Sequence, residues 1–234
     1  MKFKKPLKSG FLIRRYKRFL ADVRLDDGTT VTAHCANTGS MMQVSETGSP
    51  VMLSEAENPK RTTRWDWQLV KVNGLWAGIN TSVPNILLRE GFEAEIIDAF
   101  RGYDTIKMEV PYGEKHSRAD AMLAGQSGTQ KMYVEAKNVT LVENGRALFP
   151  DAVTSRGLKH LDELALMVRQ GHRAAMFFLS QRMEAESIGI ATHIDPDYAG
   201  RIKDVIDQGV EILAWKANVT PEGIVLDREL PFEV

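Results

Sequence analysis

The sequence predicts an α+β chain of two domains: a small all-β unit over residues 1–82 and an α/β unit with a mixed sheet over residues 83–234. Three observations predict this. Short β-type segments separated by turn residues fill the first part without a helical pattern. From Val83 onward, helical and strand periods alternate. The charge also changes sign near the same place. Residues 1–80 hold 13 Lys and Arg against 7 Asp and Glu, and the remainder holds 17 against 24. Such a split suggests two units with different tasks.

In the first unit, Phe19–Leu25 and Thr29–Cys35 flank Asp26-Asp27-Gly28, and Trp67–Val72 and Leu75–Ile79 flank Asn73-Gly74. Asp-Gly and Asn-Gly are strong hairpin signals because both tolerate the positive φ of tight turns. Turn residues at 37–39 and 48–50 precede a short strand over Pro50–Leu53. Five or six strands in so short a stretch suggest a small barrel or sandwich. The first eighteen residues carry eight basic side chains and no acid. They read either as a solvated arm or as a phosphate-facing surface.

In the second unit, Val83–Gly91 reads as a helix with Pro84 in its first turn. Thr105–Val110, Arg118–Leu123 and Met132–Leu141 read as strands. Thr154–Gln170 is a helix whose Leu158, Leu161, Leu164, Ala165 and Val168 recur at helical spacing. Arg173–Leu179 is an apolar strand, Asp195–Asp207 a helix and Val210–Trp215 a strand.

Composition excludes several classes. With 43% hydrophobic residues the chain can bury a core, so disorder is not its main state. The longest apolar run, Ala174–Leu179, is too short to span a bilayer, and no partner membrane is expected. A lone Cys35 excludes an intrachain disulfide and a cysteine-clustered zinc site. With no export signal in view, the expected compartment is the cytoplasm. No phosphate-binding glycine loop, dinucleotide fingerprint, HExxH pair or nucleophile elbow occurs.

One hairpin carries chemistry. Ser117–Leu123 leads through Gly125–Gly128 into Lys131–Lys137. With the turn centred on Ser127-Gly128, Asp120 stands directly opposite Glu135, and Lys137 shares their face two residues on. Opposed carboxylates repel unless something lies between them. A divalent ion would do so, with the Ala136 carbonyl as a further oxygen ligand and Mg²⁺ or Mn²⁺ the expected cofactor. Such an ion activates water and stabilises a phosphoryl transition state, while Lys137 orients the water or offsets charge. The plainer alternative is a solvated, salt-bridged face. Against it stands the helix–strand–strand–strand–helix–strand order, which matches the restriction-endonuclease-like fold and its D…[DE]-x-K signature. Members of that group often add an acid from the first helix, here Glu90.

Longer stretches resemble a known family. His34–Met41, Asn58–Thr62, Asn80-Thr81 with Asn85, Ser117–Asp120, Val134–Leu141, Phe149–Thr154, Lys159–Leu161 and Glu211–Ala214 are similar, in this order, to the sugar fermentation stimulation protein A family. The resemblance implies an N-terminal OB-like barrel and a C-terminal nuclease-like domain. It also implies DNA binding without sequence specificity and a regulatory role in sugar (maltose) use. Ala136 departs mildly, standing where a larger β-branched residue is common.

OB-like barrels combine a basic groove with aromatic stacking. The expected nucleic-acid contacts are therefore Lys60, Arg61, Arg64 and Trp65, the N-terminal Arg14, Arg15, Lys17 and Arg18, and Arg156, Lys159 and His160 on one face of the long helix. Trp67 is read as core. Two functions follow as expectations. The first is a metal-dependent nuclease acting on single- or double-stranded DNA. The second is a purely DNA-binding regulator on a catalytically silent nuclease scaffold.

Overall fold

The computed structural model describes residues 1–58, 60–114, 117–125 and 130–234. Six strands come first: β1 (Lys8–Tyr16), β2 (Leu20–Leu25), β3 (Thr30–His34), β4 (Pro50–Glu55), β5 (Trp65–Val72) and β6 (Leu75–Gly78). β1, β2, β3, β5 and β4 close into a five-stranded barrel through a parallel β3–β5 contact, and β6 extends the β5 hairpin. This is the OB arrangement. Leu12, Val23, Val51, Leu53 and Trp67 fill the barrel, and the Trp67 indole donates to the Leu69 carbonyl at 2.8 Å.

The basic N-terminal stretch is not a free arm, because residues 8–16 form β1. Leu12 is its inward anchor. Gly10 lets β1 approach β2, since a Cβ there would meet the Arg24 carbonyl at 2.6 Å. Abundant Lys and Arg on the outward positions hide this alternation in the sequence.

The second part begins with α1 (Val83–Glu93). There follow β7 (Thr105–Tyr112), β8 (Ser117–Ala124), β9 (Lys131–Val139), β10 (Leu141–Glu143), β11 (Arg146–Phe149), α2 (Ser155–Arg169), β12 (Arg173–Ser180), β13 (Ser187–Ile190), α3 (Pro196–Asp207), β14 (Glu211–Thr220), β15 (Gly223–Glu229) and β16 (Phe232–Glu233). Its main sheet has the order β15-β14-β12-β9-β8-β7. β9, β12 and β14 run parallel and the outer pairs antiparallel, so the sheet is mixed. Helices cover both faces, which explains the unbroken apolar run of β12. Ala175, Phe177 and Leu179 pack with α1, while Ala174, Met176 and Phe178 pack with α2 and α3. Asp195 ties the two helix starts together, accepting from Tyr198 N at 3.0 Å and from Thr154 N at 2.8 Å.

A second sheet, β10-β11-β13-β16, was not expected. The stretch read as one strand over 132–141 breaks at Thr140. The Thr140 carbonyl takes the buried guanidinium of Arg182 at 2.7 Å, and the chain then turns into β10. Among the described residues no helix is long and apolar enough to cross a membrane.

The two parts are packed and bonded together. Leu69 of β5 belongs to the cluster around α1. Ser40 Oγ donates to the Asp151 carbonyl at 2.7 Å, and Met41 N to the Asp151 carboxylate at 3.1 Å. The Phe177 ring, wholly buried on the central strand, is the test of this core. Phe177→Ala is expected to lower stability by about 3–5 kcal/mol, read from the urea unfolding midpoint.

Candidate active site

The site forms where the main sheet forks. β8 and β9 pair from Ala124–Lys131 up to Ala121–Val134 and then separate. Beyond that step β8 pairs only with β7, and β9 only with β12. The next step in this register sets Asp120 against Glu135. Like charges at opposed positions disfavour a closed ladder there. Asp120 takes over part of the lost bonding: its Oδ2 accepts the Ala136 N–H at 2.7 Å. Its other oxygen accepts the Asn85 amide of α1 at 2.8 Å. The expected turn centre, Ser127-Gly128, lies outside the described residues.

Glu135 is almost wholly buried. Its Oε1 meets Lys137 Nζ at 2.6 Å and also the Nδ1 of His160 from α2. The Arg156 guanidinium donates to the other ring nitrogen of His160 at 3.4 Å, so Nδ1 carries the proton and donates to Glu135. Lys137 Nζ lies 3.4 Å from the same Nδ1. Only one oxygen of Glu135 is engaged, and Oε2 is buried without a partner. A buried carboxylate oxygen left bare is costly unless something outside the chain completes it.

The two acids respond differently to burial. Asp120 is pushed above the ordinary carboxylate range, first by burial and then by the charge of Glu135; Lys137, the Ala136 N–H and Asn85 only partly offset this. For Glu135, burial acts in the same direction but is outweighed by Lys137 and His160, which hold the carboxyl below its usual range. A pair split in this way is an electrostatic demand for positive charge between the acids. The donor set fits a hard cation, which takes carboxylate and carbonyl oxygens and keeps water. Among the described residues no three His, Cys, Asp or Glu side chains gather around one point. An ion here would therefore rest on Asp120, Glu135, a backbone carbonyl such as that of Ala136, and water.

The other expected residues are scattered. Glu90 does not join the site. It pairs with the Met1 ammonium, because Asn85 and Glu90 lie on opposite borders of the buried stripe of α1. Arg61 is held by both oxygens of Asp66 at 2.8 Å, Arg64 by Glu55 and Arg14 by Asp22. Lys60 is exposed, and Trp65 is half-buried against the barrel core. Arg15 and Arg18 grip the barrel loop after β3. Arg15 binds the carbonyls of Asn37 (3.1 Å) and Gly39 (2.9 Å), and Arg18 that of Thr38 (3.0 Å). Lys17 is exposed at the β1–β2 turn. Arg156 is exposed, Lys159 half-buried, and His160 is inside the site rather than on a phosphate-facing surface. Asn85 is the partner that sequence reasoning left without a role.

Barrel loop and site face each other across a small cavity of about 210 Å³, lined by Asn37, Thr38 and Gly39 on one side and Lys137, Asn138 and Asp151 on the other. Larger cavities elsewhere share no residue with Asp120, Glu135 or Lys137.

An OB barrel joined to a mixed-sheet, restriction-endonuclease-like domain defines the class of protein. The comparisons define the family. Residues 82–223 match the sugar fermentation stimulation protein RE domain, and residues 13–79 the SfsA N-terminal OB domain. A sugar fermentation stimulation protein homolog of Pelobacter propionicus is 54% identical over 97% of both chains. One of Geobacter sulfurreducens is 53% identical over 97% of this chain and 96% of the relative. The solved structure of Pyrococcus furiosus SfsA in complex with Ca²⁺ superposes with a TM-score of 0.91 at 28% identity, covering 100% of this chain and 98% of that one. The chain belongs to the sugar fermentation stimulation protein family.

The raised pKa of Asp120 has a stability consequence with a definite sign. The folded state holds the Asp120 proton more tightly than the unfolded state. Stability is therefore lost as pH rises from about 3.9 through the folded pKa. In metal-free buffer at neutral pH, Asp120→Asn is expected to melt at a higher temperature than the wild type. The gap is expected to close below about pH 4; a persistent gap would assign the effect to packing instead.

Proposed function

We propose that this chain is a divalent-metal-dependent phosphodiesterase acting on nucleic acid without sequence specificity. The observation that carries the reading is the carboxylate pair at the sheet fork, with one oxygen of Glu135 buried and bare. A relative of the same fold has been solved with Ca²⁺, which supports a divalent ion at a site of oxygen donors. Asp120, Glu135 and the Ala136 carbonyl would hold it, with Mg²⁺ or Mn²⁺ as the working metal. Bound there, the ion would lower the pKa of a water and stabilise charge on the reacting phosphate.

The chain's own groups do the remaining work. Lys137 holds the attacking water within hydrogen-bond reach and offsets negative charge as it grows on the phosphate. His160 fixes Glu135 from behind through its Nδ1–H, so Lys137 and the carboxylate keep one relative position. Asn85 does the same for Asp120 from α1. Arg156, exposed at the start of α2 beside His160, meets the phosphate backbone. In this reading the fermentation phenotype in the family's name is an indirect consequence of acting on nucleic acid.

The test is cleavage of labelled DNA and RNA with Mg²⁺ or Mn²⁺, comparing the wild type with Lys137→Ala. Cleavage is expected to fall by about 10²-fold or more in the variant, with binding retained. Absence of cleavage by the wild type on every substrate, with binding intact, would overturn the catalytic reading in favour of a silent scaffold that regulates by binding. Independently, Arg156→Ala is expected to reduce the salt dependence of DNA binding by about 0.9 in log–log slope. An unchanged slope would remove Arg156 from the interface.

A further inference from the structure

The cavity between the barrel loop and Lys137 has no role in the chemistry described above. Its barrel wall is stiff. Arg15 and Arg18 bind three successive carbonyls, those of Asn37, Thr38 and Gly39, from the barrel side. Across the cavity, Ser40 and Met41 are bonded to Asp151. The loop thus cannot swing away without breaking hydrogen bonds on both sides. A Cβ at Gly39 would stand 3.0 Å from the Asp151 carboxylate, so a larger residue there would have to push that side chain aside.

Backbone strain concentrates around the same place. Eight non-glycine residues among those described have positive φ, and four of them, Lys17, Arg18, Met41 and Gln43, lie in the β1–β2 turn and in the loop after β3 that carries Asn37–Gly39. Such conformations persist where the surroundings hold them, often at ligand-binding loops. Two exposed apolar side chains lie close in the chain or by backbone bonding to these segments, outside the residues that line the cavity. Phe19, 46% exposed, closes the β1–β2 turn, where its carbonyl accepts the Cys35 N–H just before the loop. Val153, 76% exposed, lies two residues beyond Asp151. Lys17 and Arg156, both exposed, add positive charge on either side. One polar group in the wall is also unsatisfied: Asn138 accepts from Gln181 at 2.7 Å, but its own Nδ2 is buried without an acceptor.

The form of nucleic acid follows from these dimensions. The reacting groups lie beneath the surface, with the Glu135 and Lys137 side chains 3% and 16% exposed. Lys137 lines the cavity, so a strand that enters it meets that side chain between two walls fixed to each other. The cavity, about 210 Å³, falls below the range for whole small-molecule sites, so it takes one part of a nucleotide, such as its base. A duplex cannot offer one base to such a slot without unpairing and extruding it. An unpaired strand can. It can also stack a base on an exposed ring while basic side chains follow its backbone.

Resting on the phosphodiesterase reading for the role of Lys137, we propose that this cavity is a nucleotide subsite that admits an unpaired strand. The barrel acts as a selector for single-stranded nucleic acid, with Asn138 as a hydrogen-bond donor to the strand and Phe19 as a stacking platform.

The test measures binding, so it does not depend on turnover. A labelled oligothymidylate of about 15 nucleotides and its duplex with oligodeoxyadenylate are titrated by fluorescence anisotropy in Ca²⁺. The wild type is compared with Thr38→Trp, which fills the cavity from an exposed position, and with Phe19→Ser. The wild type is expected to bind the single strand at least about tenfold more tightly than the duplex. Thr38→Trp is expected to abolish that preference, and Phe19→Ser to reduce it, with melting temperatures unchanged. Equal or tighter binding of the duplex, or a preference that survives Thr38→Trp, overturns the subsite. Cleavage in Mn²⁺ is read in parallel on the same strands. A wild type that keeps the single-strand preference but cuts nothing refutes the phosphodiesterase reading while supporting the subsite.

Discussion

Two negative charges set one ladder step apart are the constraint from which much of the second domain's local architecture follows. A β-ladder closed through Asp120 and Glu135 would hold like charges at contact distance in a buried sheet. Instead β8 turns to β7 and β9 to β12, and the gap between them becomes the site. What the ladder loses there is replaced piece by piece. Asp120 accepts a backbone N–H and an amide from α1; Glu135 accepts Lys137 and His160 from α2. Helices on opposite faces of the sheet are thus tied to the two acids. The remaining deficit is a bare buried oxygen on Glu135, the atom that the proposed metal ion would complete as a ligand.

This arrangement works against the domain's stability in the absence of that ligand. A carboxyl whose pKa is raised in the fold lowers stability at neutral pH, and an unsatisfied buried acceptor adds to the cost. The core around it compensates: Phe177, Leu179 and Leu123 on one face and Met176, Phe178 and Leu164 on the other are fully buried. Strain of this kind is compatible with a preorganised site, in which groups already held in place need no rearrangement.

The sequence made the hairpin register legible because a two-residue turn centre and a period of two leave no freedom: once Asp120 faces Glu135, Lys137 must share their side. The alternation of β12 across two helical layers was legible for a similar reason, in its unbroken apolar run. Other features depended on quantities that a sequence does not carry. Whether α1 offers Asn85 or Glu90 to Asp120 is set by the phase of the helix about its axis. The two residues differ by about 140° around it, and either border of the stripe was open to the sheet. His160 looked like part of a cationic helix face, because its partner Glu135 lies 25 positions away on a different element. β1 was masked by its outward Lys and Arg. β10, β11 and β13, at three or four residues each, were too short for a period to emerge.

The arginines of the barrel show how charge and contact separate. Arg15 and Arg18 read as phosphate ligands, yet their guanidinium groups are committed to loop carbonyls. They still shape what can approach. By drawing the Asn37, Thr38 and Gly39 carbonyls inward they remove acceptor oxygens from the cavity wall and place positive charge behind it. A wall whose carbonyl oxygens are already engaged repels phosphate less than an ordinary loop would. In the proposed phosphodiesterase the barrel would act on the chemistry of the second domain without supplying a reacting group, by fixing the far wall of the cavity beside Lys137.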